Sequence, residues 1–221
     1  MRHLPALAFA LAATGAPAHA DPTPNELSFG GTARALRSSS ANALTADNLA
    51  GITLGAARDL GILDGGPLPG LSLWAEAGLA ATSADGTMFQ SLSTSIGQLG
   101  LTGGVAARYQ LHRMVAASAR LALGAQRANV SISDPTGASA SDHGWGAMAQ
   151  AGAALDLVVS TAHQFGLGVR LELGYVAARG IALTPRRSHP DDTLALPMTE
   201  LPLGRLDLSG PTLSLSVLGQ F

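Results

Sequence analysis

The sequence has 221 residues, which is enough for one ordinary domain or for one domain with a small appendage. Hydrophobic residues make up 47% of the chain and charged residues only 13%, against about 25% in a typical soluble protein. This composition excludes intrinsic disorder, which requires high charge and low hydrophobicity. A formal net charge of −2 argues against a nucleic-acid partner, and the absence of Cys excludes disulfides and Cys nucleophiles.

The first twenty residues have the three parts of a cleaved secretory signal peptide. Arg2 and His3 give a positive start, residues 4–13 are apolar, and residues 18–20 form a small-x-small cleavage site. The apolar stretch is shorter than the roughly 20 residues that span a bilayer. We therefore predict a signal peptide at residues 1–20 and a mature domain at residues 21–221.

The mature chain alternates between apolar and polar residues with the period of a β-strand. The alternation is sharpest at residues 165–175, where every odd position is apolar or aromatic and every even position is Gly or charged. A helix would mix these two sets of residues. The same alternation predicts eight strands, at residues 26–38, 48–60, 71–82, 97–111, 114–132, 144–159, 164–183 and 205–221.

The polar face of these strands carries too few charges for the water-exposed surface of a soluble protein. It consists mostly of Gly, Ser, Thr and Gln, which is typical of the interior of a membrane β-barrel. A barrel of eight strands leaves an interior just wide enough for side chains. We therefore interpret the inward ions as a network that plugs the lumen, with an ion pathway as the alternative. The predicted network is Arg34, Asp59, Glu76, Arg108, Arg120, Asp156, Arg170 and Glu172.

Outward aromatic residues suggest the two girdles of a membrane barrel. Phe165 and Tyr175 are ten residues apart, which on a tilted strand corresponds to about 25 Å, the height of the apolar band. Phe29, Tyr109, Phe165 and Phe221 are predicted at the inner ends of their strands, and Trp145 and Tyr175 at the opposite ends. Arg37 also has the outward phase, so we expect a bulge or an early strand end before it.

The signal peptide, the eight alternating segments and the end of the chain together resemble the eight-stranded bacterial outer-membrane barrels of the OmpA-like and OmpX-like type. The resemblance implies an all-β fold: a closed, antiparallel, up-and-down transmembrane β-barrel of eight strands. It implies that Leu213, Leu215, Val217 and Phe221 form the signal for outer-membrane assembly, with Gly219 in place of the usual larger residue. The implied location is the bacterial outer membrane. The implied partners are outer-membrane lipid, lipopolysaccharide and the barrel-assembly machinery, and a monomer is expected.

In such a barrel both termini lie on the periplasmic side. The periplasmic turns would be residues 61–70, 111–114 and 160–164. The outer loops would be residues 39–47, 82–92, 133–143 and 184–205. A fourth loop of this length leaves room for an extra hairpin at residues 193–196 and 201–206, so ten strands remain an alternative.

The third and fourth outer loops hold the polar side chains that come nearest to a reactive site. Asp142 and His143 lie in one, and His189, Asp191 and Asp192 in the other. Their spacing matches no metal-ligand motif, and polar clusters are normal in loops. We predict no metal, no cofactor and no enzymatic activity. The fourth loop also contains Arg186 and Arg187. These two side chains are expected to be solvated, and the alternative is that they contact the phosphates of lipopolysaccharide.

The leading hypothesis is a non-enzymatic outer-membrane barrel with a plugged polar lumen. Its role would be structural, or contact with other surfaces through the outer loops. The alternatives are a narrow passive channel or transporter, an enzyme at the rim of the barrel, and a soluble exported β-protein.

Overall fold

The computed structural model describes residues 25–45, 48–63, 68, 70–112, 114–162, 165–187 and 203–221. The predicted signal peptide and the residues His189, Asp191 and Asp192 lie outside this part of the chain. One short helix, α1 (Ser39–Asn42), follows the first strand, and the Ser38 hydroxyl caps it by accepting a hydrogen bond from the Ala41 N–H. No helix among the described residues has the length and hydropathy to cross a membrane.

Eight long antiparallel strands build the described part of the chain. Each strand pairs with its neighbours in sequence, and the last pairs with the first, so the sheet closes into a barrel. The predicted fold class is therefore confirmed. The strands are β1 (Asn25–Arg34), β2 (Leu49–Asp59), β3 (Leu71–Met88), β4 (Leu92–His112), β5 (Val115–Ser133), β6 (Ser139–Ala162), β7 (Phe165–Ala178) and β8 (Gly210–Gln220).

The two chain ends of the barrel meet at one end of the cylinder. The Asn25 N–H donates to the Phe221 carbonyl at 2.8 Å, and the Phe221 N–H donates back to Asn25 at 2.9 Å. We call this end the terminal end and the opposite one the hairpin end. The pairs β3–β4 and β5–β6 project furthest at the hairpin end.

The register of the strand pairing shifts along the barrel axis from each strand to the next. Cα partners followed from Asn25 through β2 to β7 lead to Pro211 on β8, whose carbonyl accepts a hydrogen bond from the Ala35 N–H. Ala35 lies ten residues beyond Asn25 on the same chain segment. A stagger of this size over eight strands gives the tilt of about 40° that closed barrels require.

The first strand ends earlier than the alternation predicts. β1 stops at Arg34, and Arg37 is exposed in the connection to α1. Arg37 therefore does not lie on the apolar outer face of a strand. Of the two alternatives expected from the sequence, a bulge or an early strand end, the structure shows the early end.

Two of the predicted outer loops are largely strand. β3 and β4 remain paired as far as Met88 and Leu92, and β5 and β6 as far as Ser133 and Ser139. The prediction of loops at residues 82–92 and 133–143 is therefore wrong. Phe89 and Gln90 close the first hairpin with φ of 52° and 62°, which is the left-handed conformation that tight hairpin turns need.

The fourth outer loop contains short pairings instead of a barrel strand. Ile181–Ala182 pairs with Arg205–Leu206, and Arg186–Arg187 extends the edge of β6 at Ala140 and Ser141. Residues 188–202 lie outside the described part, as do residues 64–67, 69, 113, 163 and 164 of the predicted periplasmic turns. Among the described residues the barrel itself has eight strands and not ten.

Candidate functional site: the interior of the barrel

Four ionised side chains form a closed cluster near the terminal end. Arg170 holds Asp156 through two hydrogen bonds, Nε to Oδ1 at 2.6 Å and Nη2 to Oδ2 at 2.7 Å. Its Nη2 also lies 2.9 Å from Oε1 of Glu26. Arg108 contacts the same two carboxylates, at 2.9 Å from Glu26 and 3.4 Å from Asp156. Each carboxylate of this lower quartet therefore faces both guanidinium groups, and all four side chains are buried.

A second cluster lies next to the lower quartet on the side of the hairpin end. Arg120 approaches Glu76 at 3.2 Å through Nε and Glu172 at 2.7 Å through Nη1. The Gln150 amide donates to the other oxygen of Glu172 at 3.2 Å. Strands β3, β5, β6 and β7 supply these residues, so the cluster links opposite walls of the barrel.

The structure changes one member of the predicted network. Asp59 is not in either cluster: its Oδ1 accepts a hydrogen bond from the Gly61 N–H, 3.0 Å away, at the end of β2. Glu26 takes the place that sequence reasoning gave to Asp59. The sequence does contain a signal for Glu26. It alternates with the outward residues of the first strand and so falls at an inward even position, like Ser28 and Gly30. The other predicted members face the interior, where Arg34 stands apart from the two clusters.

Arg34 belongs to a separate polar layer nearer the hairpin end, in which it is the one ion. Its Nη1 donates to Oε1 of Gln98 at 3.0 Å and to the Leu208 carbonyl at 3.2 Å. The Thr82 hydroxyl donates to the same Gln98 oxygen, and the Gln98 amide donates to Gln126 at 2.9 Å. We call Arg34, Thr82, Gln98 and Gln126 the glutamine layer. A cavity of about 80 Å³ is lined by Arg34 of this layer and by members of both clusters, including Glu76 and Arg120.

Beyond the glutamine layer the interior becomes apolar. The inward side chains of the extended hairpins pack with those of α1 and the fourth loop, and the resulting upper core is almost fully buried. Apolar side chains pack against one another here as in the core of a soluble protein, and the buried Thr94 hydroxyl between Leu92 and Ile96 donates to the Leu44 carbonyl. The upper core consists of Ala41, Leu44, Leu49, Ala84, Leu92, Ile96, Ala128, Val130, Ile132, Ile181, Leu183, Leu206 and Leu208.

An aromatic side chain lies against the lower quartet. The guanidinium carbon of Arg108 lies 4.0 Å from the ring centroid of Trp74, which is cation–π geometry. The Trp74 Nε1–H donates to the Ser72 hydroxyl at 2.8 Å. In the part of the chain that the structure describes, side chains therefore block the interior at the ionic clusters, at the glutamine layer and at the upper core, with the 80 Å³ cavity enclosed among them.

The exterior of the barrel carries the predicted aromatic residues. Phe29, Tyr109, Trp145, Phe165, Tyr175 and Phe221 are all exposed on the outer surface, together with many Leu, Ile and Val side chains. The register does not place Trp145 and Tyr175 at one level, because Tyr175 pairs with Ala151, six residues from Trp145 on β6. Trp145 therefore lies closer to the hairpin end than Tyr175.

The residues predicted to form the assembly signal share the outer face of β8. Leu213, Leu215, Val217 and Phe221 are exposed, and they alternate with the inward Thr212, Ser214 and Ser216. The structure thus places these four side chains on the outer surface of the barrel.

The rim residues singled out from the sequence are only partly described. Asp142 uses its carboxylate on the backbone: Oδ1 accepts from the His143 N–H, and Oδ2 accepts from the Thr184 N–H, both at 2.7 Å. This links β6 to the fourth loop. His143 and Arg186 are exposed. Within the described residues, no group of three or more His, Cys, Asp or Glu side chains is placed to hold a metal ion.

A closed eight-stranded barrel with an apolar exterior and a polar, ion-paired interior has the fold of the small bacterial outer-membrane β-barrels. Two crystal structures of Ail, the attachment invasion locus protein of Yersinia pestis, are similar at 14% sequence identity and a TM-score of 0.51. The alignments cover 90% of this chain and 99% of Ail, and one of the two structures contains the heparin analogue sucrose octasulfate.

Neisserial surface protein A also aligns, over 89% of this chain and 94% of that protein, at 10% identity and a TM-score of 0.36. No protein-family model and no curated protein matches the chain. The similarity to Ail is one of fold.

Proposed function

We propose that the protein is an integral outer-membrane barrel that does not conduct ions or solutes and that acts through its extracellular hairpins. The apolar outer surface of the barrel supports a membrane location. Side chains such as Leu101, Leu123 and Leu173 are more than half exposed on the outside, which is unfavourable in water and favourable in lipid.

The observation that carries the proposal is an interior that side chains block at successive levels. The lower quartet, the Arg120 cluster, the glutamine layer and the upper core follow one another along the barrel axis. A conducting pore would need a continuous water-filled path past buried ion pairs and then through the closely packed upper core. The energetic cost of moving an ion through such a core favours a scaffold over a channel.

The extracellular role rests on the two hairpins β3–β4 and β5–β6. Their long paired strands and the core beneath them form a rigid projection at the hairpin end. The proposed partners in the envelope are outer-membrane lipid and lipopolysaccharide. The barrel-assembly machinery would recognise β8 through Leu213, Leu215, Val217 and Phe221, and the proposed state is a monomer.

Conductance in a planar lipid bilayer tests the proposal. The wild-type barrel should give no stable open channel, and a large steady conductance would overturn the plugged interior and favour the channel alternative. Cell fractionation tests the location separately: the protein should be recovered with outer membranes and show heat-modifiable gel mobility. Recovery as a soluble periplasmic or extracellular protein would overturn the membrane location.

A further inference from the structure

Two arginine residues flank an exposed tryptophan on the outer surface. Arg127 on β5 is the direct cross-strand partner of Trp145 on β6. On the other side of β6, the Arg179 N–H donates to the carbonyl of Ala147, two residues from Trp145. All three side chains have the outward phase, and Trp145 is 66% exposed.

The stagger of the barrel brings these three residues to one height. Each step to the next strand raises the position by about 3 Å, because the strands are about 4.8 Å apart and tilted by about 40°. By the same geometry Arg127, Trp145 and Arg179 lie within about 4 Å of one another along the barrel axis. They follow the apolar outward residues Leu123 and Tyr175 in the direction of the hairpin end.

A groove of about 700 Å³ on the outer surface reaches this level at Arg127, the one residue of the three that lines it, and Trp145 and Arg179 lie beyond its edge. Towards the terminal end its lining is apolar, with Ile52, Ala81 and Leu99. Towards the hairpin end it is polar, with Arg127 and Asn129. The groove thus changes from apolar to polar in the same direction as one leaflet of a bilayer does between its acyl chains and its headgroups.

The two guanidinium groups are available to a ligand. Among the described residues, the side chains of Arg127 and Arg179 have no hydrogen bond and no ion pair. One carboxylate, Asp142, lines the groove, but its two oxygens already accept backbone hydrogen bonds from His143 and Thr184. Arginine is well suited to phosphate because its planar fork can donate two parallel hydrogen bonds.

We infer that Arg127, Arg179 and Trp145 form a binding site for the phosphorylated headgroup of an outer-leaflet glycolipid of the lipid A type. The acyl chains would lie on the apolar part of the groove, and the two arginine side chains would bind phosphate oxygens beside the Trp145 ring. The amphipathic lining favours this ligand over a soluble anion. The inference rests on the proposed outer-membrane location, with the hairpin end outside.

Lipid binding by single-arginine variants tests the site. The full mature barrel in nanodiscs of phosphatidylcholine would be titrated with bisphosphorylated lipid A, and bound lipid would be counted by native mass spectrometry. Arg127→Gln and Arg179→Gln should each weaken binding about tenfold, since a hydrogen bond to a charged group typically contributes that much. The control is Arg58→Gln, which removes an exposed Arg from the terminal end of β2 and should leave binding unchanged.

Two further measurements distinguish the phosphate of a lipid headgroup from free inorganic phosphate. Dephosphorylated lipid A should bind the wild type at least tenfold more weakly than the bisphosphorylated form, and millimolar inorganic phosphate should not displace the lipid. Equal binding of both lipid A forms, equal losses in Arg58→Gln and Arg127→Gln, or displacement by inorganic phosphate would each overturn the site. Heat-modifiable mobility of every variant confirms that the barrel is folded, and fractionation of the wild type decides the membrane location independently.

Discussion

The two halves of the barrel interior have opposite chemistry. Towards the terminal end the inward side chains are ions, and towards the hairpin end they are aliphatic. A single strand shows both: Arg108 and Ile96 lie on the same face of β4, twelve residues apart. Arg108 contacts two carboxylates, whereas Ile96 is completely buried in the upper core.

The outer face of the same strand changes in the opposite direction. Leu101 and Val105 are exposed outside the ionic half, and Ser93 and Ser95 take the outward positions beside the upper core. An apolar exterior fits lipid, and an apolar interior with a polar exterior fits water. The point at which the two faces exchange polarity therefore corresponds to the level at which the barrel would leave the membrane. Above that level the hairpins are packed as in a soluble β-protein.

The largest effect is expected from breaking the lower quartet. Arg170→Met removes three contacts and leaves Glu26 and Asp156 with Arg108 alone. Breaking a buried ion pair from one side should lower the free energy of unfolding by about 4 kcal/mol. Equilibrium urea unfolding of the barrel in phospholipid vesicles measures this value.

The control for the quartet is Arg37→Met, which removes an exposed arginine from the connection after β1. This variant should change stability by less than about 0.5 kcal/mol. A loss of under about 1 kcal/mol in Arg170→Met would mean that the quartet behaves like an exposed ion pair. The ionic half would then not be held together by these contacts.

A smaller and more local effect is expected in the upper core. Ile96→Ala leaves a cavity among fully buried side chains and should cost about 3 kcal/mol. If the two halves are separate packing units, amide hydrogen exchange should become faster in the hairpin half, for example at Ile132, and stay unchanged around Arg170. Ser95→Ala, on the outward face one residue away, should alter neither quantity. Equal acceleration of exchange in both halves would show that the interior is one cooperative unit.

The strands and their closure could be predicted from the sequence because alternation with period two reports them directly. Residues 165–175 illustrate this, since every predicted inward position of β7 faces the interior. The exact network was less predictable. Asp59 has the same inward phase as the network ions, but its position at the end of β2 lets the Gly61 N–H bind it locally. The alternation of apolar and polar residues does not show that a nearby backbone N–H will bind the Asp59 carboxylate in place of an arginine.

The projecting hairpins could not be predicted by a rule that expects polar residues inside. In residues 83–96 the alternation continues, but with its polarity reversed: Ala84, Leu92 and Ile96 face inward and Ser83, Asp85 and Ser95 outward. Searching for alternation without fixing which face is apolar would have found these strands. The upper core also depends on α1 and on the fourth loop, whose contacts join residues far apart in sequence.

The smallest change in the free energy of unfolding is expected when two neighbouring glycines of β4 are replaced by Ala, one on the inner face and one on the outer face. A Cβ on Gly104 would overlap the Leu121 carbonyl oxygen and lie 2.6 Å from Cα of Ala122, whereas one on Gly103 would meet only the Glu76 carbonyl at 3.9 Å. Gly104→Ala should therefore cost about 2 kcal/mol through forced backbone shifts. Gly103→Ala should stabilise the barrel by about 0.5 kcal/mol, because Ala restricts the unfolded chain more than Gly does. Urea unfolding in vesicles measures both. Equal losses of unfolding free energy in the two variants would contradict this prediction. They would mean that the inner face of β4 is packed no more tightly than its outer face.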